Sequence, residues 1–360
     1  MTDPIVRDAP LRVLVVDDSA YNRKSIGEIL GQSPQVQVVG KAADGEEALR
    51  LVTTLRPDVI TLDLEMPRMD GFTFLRILMS KMPTPVIVVS SYSQKENVFK
   101  ALELGALDFV AKPDRYADAE LGGVRDELLQ KVLLARSLRS PSFLAARQAM
   151  ESISGAQAEP ARKEGPVLAP RYVVAIASST GGPTALMEIF ARLPRRSPSA
   201  LLIAQHMPDK FTRTFAERLD RRSLLKVSEA QELDAVGQGM GFVCPGRRCM
   251  QLEVVPGTSD LRLRVRQPDE NDRYVPSADR LFNSVARTVG SRGIGVILTG
   301  MGDDGMHGAK AILRAGGTVI AESEETAVVY GMPGAAVRAG AVTRSLPLPQ
   351  IGDWLAGLGS

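Results

Sequence analysis

The sequence predicts two α/β domains in series: an N-terminal flavodoxin-like domain and a C-terminal doubly wound parallel α/β domain with an inserted β-hairpin. Two observations carry this. Short apolar runs alternate with amphipathic helical stretches over residues 10–139 and again over 171–360. Strands linked by helices pair in parallel and are covered on both faces. Between the two blocks, over 140–170, the composition turns to small residues, charges, glycines and prolines without a steady period, as in a linker.

In the first block "RVLVVDD" reads as a buried strand, "YNRKSIGEIL" as a helix and "VQVVGKA" as a strand. "GEEALRLVTTL" is a helix, "DVITLD" a strand, "GFTFLRILMSK" a helix, "PVIVVSS" a strand and "NVFKALELGA" a helix. "DFVAKP" closes the sheet, and a long helix is expected from roughly Ala119 to Leu138. The second block opens on "YVVAIA" (strand), "TALMEIFARL" (helix), "ALLIAQ" (strand) and "FTRTFAERLDR" (helix). "GFVCPG" with "MQLEVVPGTSDLRLRVRQ" reads as a hairpin region, two alternating runs around a glycine-containing turn. "SADRLFNSVARTV" (helix), "GIGVILTG" (strand), "MHGAKAILRAG" (helix) and "GTVIAE" (strand) follow, with short helices to the end.

The 360 residues hold 44 Lys plus Arg against 42 Asp plus Glu, a balance that points to neither nucleic acid nor a membrane surface. Met1 to Leu11 is polar and proline-broken, unlike a signal peptide, and no apolar run approaches the roughly 20 residues that span a bilayer. A cytoplasmic monomer is expected, with Cys244 and Cys249 as reduced thiols. No cluster of His and Cys completes a zinc set around them.

Open parallel sheets bind ligands beyond the carboxyl ends of their strands. In the first block those ends carry Asp17 and Asp18, Asp63, Ser90 and Lys112. Three carboxylates at one rim repel one another unless a hard divalent cation with oxygen ligands lies between them. A lysine opposite suits a phosphoryl group. "VVDDS", "LDLEMPRMDG" and "FVAKP" resemble the response-regulator receiver domain. The resemblance implies phosphorylation of Asp63 by a histidine kinase, with Mg²⁺ held by Asp17, Asp18, Asp63 and the backbone carbonyl of Glu65. It also implies Lys112 on the phosphoryl oxygens, Ser90 as the switch hydroxyl and Phe109 as the switching aromatic.

In the second block, "ASSTGGP" brings two serines, Ser178 and Ser179, to a strand-to-helix turn. As a plain helix start it would need only a Ser or Thr cap. As a catalytic turn it offers a nucleophile beside glycine N–H groups at a helix N-terminus, able to stabilise an oxyanion. An imidazole base must be His206, in "QHMP", or His307, inside a helix, since the chain has only two histidines. Its orienting acid would come from "GMGDDG", which offers Asp303 and Asp304.

"ASSTGGP", "QHMP", "PSAD", "ILTGMGDDG" and "YGMPGAA" resemble the catalytic domain of the chemotaxis protein-glutamate methylesterase/protein-glutamine glutaminase family. The resemblance implies Ser179 as nucleophile, His206 as base and Asp304 as its orienter, with Thr180, Gly181 and Met301 around the transition state. It implies hydrolysis of glutamate γ-methyl esters and deamidation of glutamines on cytoplasmic chemoreceptor helices, no cofactor in this domain, and restraint by the unphosphorylated receiver. The segment "NDRYVPS" departs from the family's usual "NRHRPS", with Tyr274 and Val275 before Pro276. A transcriptional regulator would instead carry a short basic helix-turn-helix after the linker. A methylesterase of a non-motility chemosensory pathway would share all of these motifs. A phosphorylation-dependent binding module with an inactive site sits poorly with an intact Ser179, His206 and Asp304.

Overall fold

The computed structural model describes residues 9–91, 95–112, 118–137 and 167–359. The linker expected over 140–170 falls outside these residues except for its last four. The chain divides into two compact units, Met1–Arg139 and Ser140–Ser360.

In the first unit β1 (Leu11–Val16), β2 (Val36–Ala42), β3 (Val59–Leu62), β4 (Val86–Ser90) and β5 (Asp108–Ala111) form a parallel sheet in the order β2-β1-β3-β4-β5. The inner strands β3 and β4 are buried at every position, as a sheet covered on both faces imposes, whereas β2 at the edge is buried only at its two end residues. The crossovers are α1 (Ala20–Gly31), α2 (Gly45–Leu55), α3 (Gly71–Lys81) and α4 (Lys95–Glu103), with α5 (Asp118–Leu134) last. Three helix starts are set by side-chain caps: Ser19 accepts from Asn22 N–H, Asp44 from Glu47 N–H and Asp70 from Thr73 N–H. The bond from Glu47 N–H, and then Arg68, hold Asp44 below the usual carboxylate range.

The second unit is built on seven parallel strands in the order β14-β13-β12-β6-β7-β9-β8. In chain order these are β6 (Tyr172–Ser178), β7 (Ser199–Gln205), β8 (Lys226–Glu229), β9 (Met240–Val243), β12 (Gly293–Ile297), β13 (Thr318–Glu322) and β14 (Arg344–Leu346). Its helices are α6 (Gly182–Arg192), α7 (Asp209–Arg222), α8 (Ala278–Val289), α9 (Met306–Arg314), α10 (Met332–Arg338) and α11 (Leu348–Ala356). From β6 the chain builds outward on one side through β7, then returns to build β12, β13 and β14 on the other. The carboxyl ends of β6, β7 and β12 therefore border a topological switch point. Leu281, Phe282 and Val285 of α8 are fully buried in one cluster with Val173, Ala175 and Ala177 of β6. Each larger side chain there contributes about 1.5–3 kcal/mol through burial.

The inserted hairpin pairs β10 (Cys249–Val254) with β11 (Leu261–Arg266). Sequence reading grouped "GFVCPG" with this hairpin; instead Met240–Val243 joins the main sheet, parallel to both β7 and β8. Strands β8 and β14 went unpredicted because each is a short edge strand with mostly polar or half-exposed side chains and no apolar run. Cys244 and Cys249 are buried free thiols.

Candidate active site and receiver site

Strand register assembles the candidate active site. Ser178 pairs with Gln205 and Ala177 with both Ala204 and Ile297, so the residues just past β6, β7 and β12 share one rim. His206 N–H donates to Ser178 O at 3.0 Å, and Ser179 N–H to Thr299 O at 3.0 Å, which continue the sheet ladders into the loops. Gly300 allows this closeness: a Cβ there would lie 2.7 Å from the Ser179 Cβ and 2.5 Å from the Met332 Sδ.

The Ser179 turn does not use a serine or threonine cap. Gly181 stands at the helix start with φ +79°, and no side chain caps α6, whose first turn contains Pro183. That left-handed conformation strains any residue with a Cβ, and Gly181 lies directly against Val328 and Thr299. The two serines separate in role. Ser178 is fully buried and donates to Gln205 Oε1 at 2.7 Å, while Ser179 is half-buried at the rim. Gln205 Nε2 in turn donates to Ser179 O and His206 O, both at 2.9 Å, and so ties the serine turn to the histidine.

His206 Nε2 lies 2.8 Å from Asp304 Oδ2. Asp304 is 2% exposed, and its carboxylate also accepts from the N–H groups of Ala278 (2.8 Å) and Asp279 (3.0 Å) at the start of α8. The acid is thus held at a helix N-terminus, where the dipole favours negative charge. With two backbone donors already on the carboxylate, Nε2 is the donor in its bond, which leaves the Nδ1 lone pair free. Among the described residues no hydrogen bond links the Ser179 hydroxyl to either ring nitrogen. His307 is exposed, while Asp303 accepts from the Tyr274 hydroxyl at 2.9 Å. Thr180 is buried and Met301 43% exposed. The Thr180 and Gly181 N–H groups donate to no acceptor among the described residues.

Two residues around this rim, Thr299 and Glu322, are not marked by the sequence. Thr299 accepts from Val329 N–H and donates to Thr180 O through its hydroxyl, bracing the serine turn. Behind it Glu322 accepts from Thr299 N–H at 2.8 Å and from the Thr326 hydroxyl at 3.0 Å. Burial pushes the Glu322 carboxyl up to about 7 against the pull of those bonds. Tyr274 was legible only as a departure from a motif; its ring stacks on His206, with centroids 5.3 Å apart and planes 6° from parallel.

In the first unit the acidic rim is similarly assembled. Asp17, Asp18 and Asp63 place one carboxylate oxygen each within 4.8 Å of the others. Lys112 Nζ lies 2.6 Å from Asp63 Oδ2 and 2.9 Å from Asp17 Oδ2. Burial pushes the Asp63 carboxyl up, opposed chiefly by Lys112. For Lys112 burial works downward, and the Asp63 and Asp17 carboxylates outweigh it and hold the ammonium above the usual lysine range. Three oxygen donors around one point suit a hard divalent cation. Ser90 and Phe109 are both buried, with Phe109 edge-on to Phe99 at 6.2 Å. Glu65 is exposed, and its carboxylate accepts from Asn97 at 3.4 Å.

Family models match parts of both units. Residues 174–355 match the CheB methylesterase family and residues 13–119 the response regulator receiver domain. Protein-glutamate methylesterase/protein-glutamine glutaminase 1 of Myxococcus xanthus is 49% identical over 97% of this chain and 97% of its own. Protein-glutamate methylesterase/protein-glutamine glutaminase 3 of Geobacter sulfurreducens is 46% identical over 95% of each. The crystal structure of the Thermotoga maritima CheB methylesterase catalytic domain, 38% identical, matches 52% of this chain and 98% of its own with a TM-score of 0.50. The chain therefore belongs to the CheB methylesterase family, in the form that carries a response regulator receiver domain.

Proposed function

We propose that the second unit is a serine esterase that hydrolyses glutamate γ-methyl esters on cytoplasmic chemoreceptor helices, deamidates receptor glutamines, and is stimulated by phosphorylation of Asp63. The observation that carries this reading is the 2.8 Å bond between His206 Nε2 and a buried Asp304, beside a half-buried Ser179. Asp304 fixes the tautomer, and Nδ1 takes the Ser179 proton as the hydroxyl oxygen attacks the ester carbonyl carbon. The hydroxyl-to-imidazole contact forms as substrate binds, as catalytic hydrogen bonds commonly tighten only in the complex. The N–H groups of Thr180 and Gly181, with Met301 beside them as the family resemblance implies, serve the developing oxyanion. The tetrahedral intermediate collapses, the carbon–methoxy bond breaks, and the imidazolium gives its proton to the departing methoxide oxygen, which leaves as methanol. Water, deprotonated by the same Nδ1, then hydrolyses the glutamyl-Ser179 ester and frees a glutamate carboxylate. An amide substrate loses ammonia by the same route, which is the deamidation.

In the receiver, Asp17, Asp18, Asp63 and the Glu65 carbonyl would hold Mg²⁺, which when bound neutralises phosphoryl charge. Asp63 accepts the phosphoryl group from a histidine kinase, Lys112 pairs with its oxygens, and Ser90 and Phe109 carry the change to the receiver surface. The protein acts as a cytoplasmic monomer; among the described residues no helix is long and apolar enough to cross a membrane. Methanol release from methylated receptor membranes tests the reading. Ser179→Ala should abolish it and Ser178→Ala should retain a substantial rate, because Ser178 is turned into the protein toward Gln205. The reverse pattern would overturn the assignment of the nucleophile.

A further inference from the structure

We infer that Tyr274 is a positioning residue for His206: its ring, anchored through its hydroxyl to Asp303, is a fixed wall that holds the imidazole in the plane where Nε2 meets Asp304 and Nδ1 faces the serine. The inference rests on the esterase reading for what the imidazole does, and on geometry for how it is held.

One bond to Asp304 leaves an imidazole free to swing about the Nε2–Oδ2 axis and about its own χ angles. A second restraint is needed to fix its plane, and aromatic stacking supplies one. The Tyr274 and His206 rings lie 6° from parallel with centroids 5.3 Å apart, an offset-stacked arrangement. The wall is itself held at both ends. Its hydroxyl donates to Asp303 Oδ1 at 2.9 Å, and burial, reinforced by that carboxylate, keeps the phenol above the usual tyrosine range, so the hydroxyl remains the donor. The Arg273 guanidinium pairs with the same Asp303 at 3.3 Å and lies 5.0 Å from the Tyr274 ring centroid. On the N-terminal side, Asp272 accepts from Arg280 Nε at 2.7 Å, which pins the segment to α8. Gly302 makes room for the hydroxyl, since a Cβ there would lie 2.5 Å from it.

The two aspartates of "GMGDDG" thereby divide the work: Asp304 holds the edge of the imidazole, and Asp303 holds the ring that covers its face. The stack also favours the reacting state. When Nδ1 takes the serine proton, a cation forms within about 6 Å of an aromatic face, the range over which ring quadrupoles attract cations. The interaction strengthens on going to the transition state, so its loss is read in kcat more than in KM.

The test uses the full-length chain and two readouts. The first is methanol release from methylated receptor membranes. Tyr274→Ala should lower kcat roughly tenfold or more with KM within about threefold, and Tyr274→Phe and Asp303→Asn, which keep the ring but lose or weaken its anchor, should each show a smaller loss in kcat. The second is NMR of ¹³C-histidine-labelled protein, in which the only two imidazoles are assigned with His307→Asn. His206 ring protons should be shifted upfield by the tyrosine ring current in wild type and in Tyr274→Phe, and return toward ordinary positions in Tyr274→Ala. Tyr274→Ala with an unchanged kcat, or with unmoved His206 resonances, overturns the proposal. Wild-type protein that releases no methanol overturns the esterase reading instead. The positioning inference is then decided by the NMR arm alone: a ring-current shift that depends on Tyr274 upholds it, and its absence refutes it.

Discussion

Asp304→Asn is the substitution whose consequence can be worked furthest from the structure. The carboxylate serves three donors: Oδ2 takes His206 Nε2 and Ala278 N–H, both at 2.8 Å, and Oδ1 takes Asp279 N–H at 3.0 Å. An asparagine has one oxygen and one NH₂, and neither orientation satisfies all three. With NH₂ in the Oδ1 place, it meets the Asp279 N–H donor to donor in a buried site. With NH₂ in the Oδ2 place, it opposes Ala278 N–H, and His206 can keep a bond only by accepting through Nε2. The ring proton then moves to Nδ1, the atom that must be free to act as base. Either way a buried backbone donor loses its acceptor at about 1–3 kcal/mol, and charge-assisted bonds become neutral ones, so the total is roughly 2–4 kcal/mol. For a unit of this size that lowers the urea midpoint of the catalytic unit by about 1–2 M. The rate suffers further, because either the imidazolium loses its counter-charge or the tautomer is wrong; a loss of about 10²–10⁴ in kcat is expected. Urea unfolding and methanol release, measured on the same preparation, check both figures. A folded Asn variant within threefold of the wild-type rate, or one with an unmoved midpoint, would refute the reasoning.

Three other outcomes follow from the same geometry. His206→Ala should cost several orders of magnitude in methanol release, while His307→Ala, at an exposed helix position, should stay within about twofold; a dead His307 variant beside an active His206 variant would reverse the assignment of the base. Asp63→Asn should leave the basal rate and remove stimulation by a small phosphodonor with Mg²⁺, since the phosphoryl acceptor is lost and the esterase residues are untouched; stimulation that survives points to another site. Glu322 gives a pH signature. Burial raises its carboxyl from 4.5 to about 7, so the folded chain keeps a proton that the unfolded chain releases. That contribution is complete below about pH 4.5 and is lost as pH rises through about 7, because the unfolded chain binds fewer protons over this window. Glu322→Gln retains an acceptor for Thr299 N–H without the charge. Relative to wild type it should gain up to about 3 kcal/mol between pH 4.5 and pH 8, read from urea midpoints at the two values; a difference that stays constant with pH would refute this.

Where side-chain chemistry is local, the sequence was readable. Asp17 and Asp18 follow an apolar run directly, and a run of that kind in a helix-alternating chain is a buried parallel strand whose end is a ligand rim. The pair of serines before two glycines was equally visible, and the motif resemblance singled out Ser179; in the structure Ser178 points at Gln205 and Ser179 lies half-buried at the rim. What stayed hidden depends on which strands end up adjacent. Glu322 ends a strand 143 positions after Ser179, yet it reaches the serine turn through a single residue, Thr299, because β12 lies between β6 and β13. Nothing in "GTVIAE" marks its last residue as more than an acidic strand end. The short edge strands β8 and β14 were hidden for the opposite reason, having too few buried side chains to leave a pattern.

The same adjacency explains why the candidate site is held more firmly than its nucleophile. His206, Asp304 and the serine turn are each tied to a neighbouring strand end or helix N-terminus by backbone donors: His206 N–H to Ser178, Ala278 and Asp279 N–H to Asp304, and Ser179 N–H to Thr299. The Ser179 hydroxyl alone turns about a single χ angle with no acceptor fixed for it among the described residues. A base held by an acid on its edge and an aromatic wall on its face, with a nucleophile free to rotate, suits a substrate that arrives as a side chain on a helix. The ester carbonyl then selects the serine rotamer, and the costly ordering of the imidazole has already been met in folding. Among the three catalytic side chains, such a division confines the entropy lost on binding to one hydroxyl rotor. The rate penalty should accordingly be far larger for disturbing the His206 supports than for disturbing residues that touch only the serine side chain.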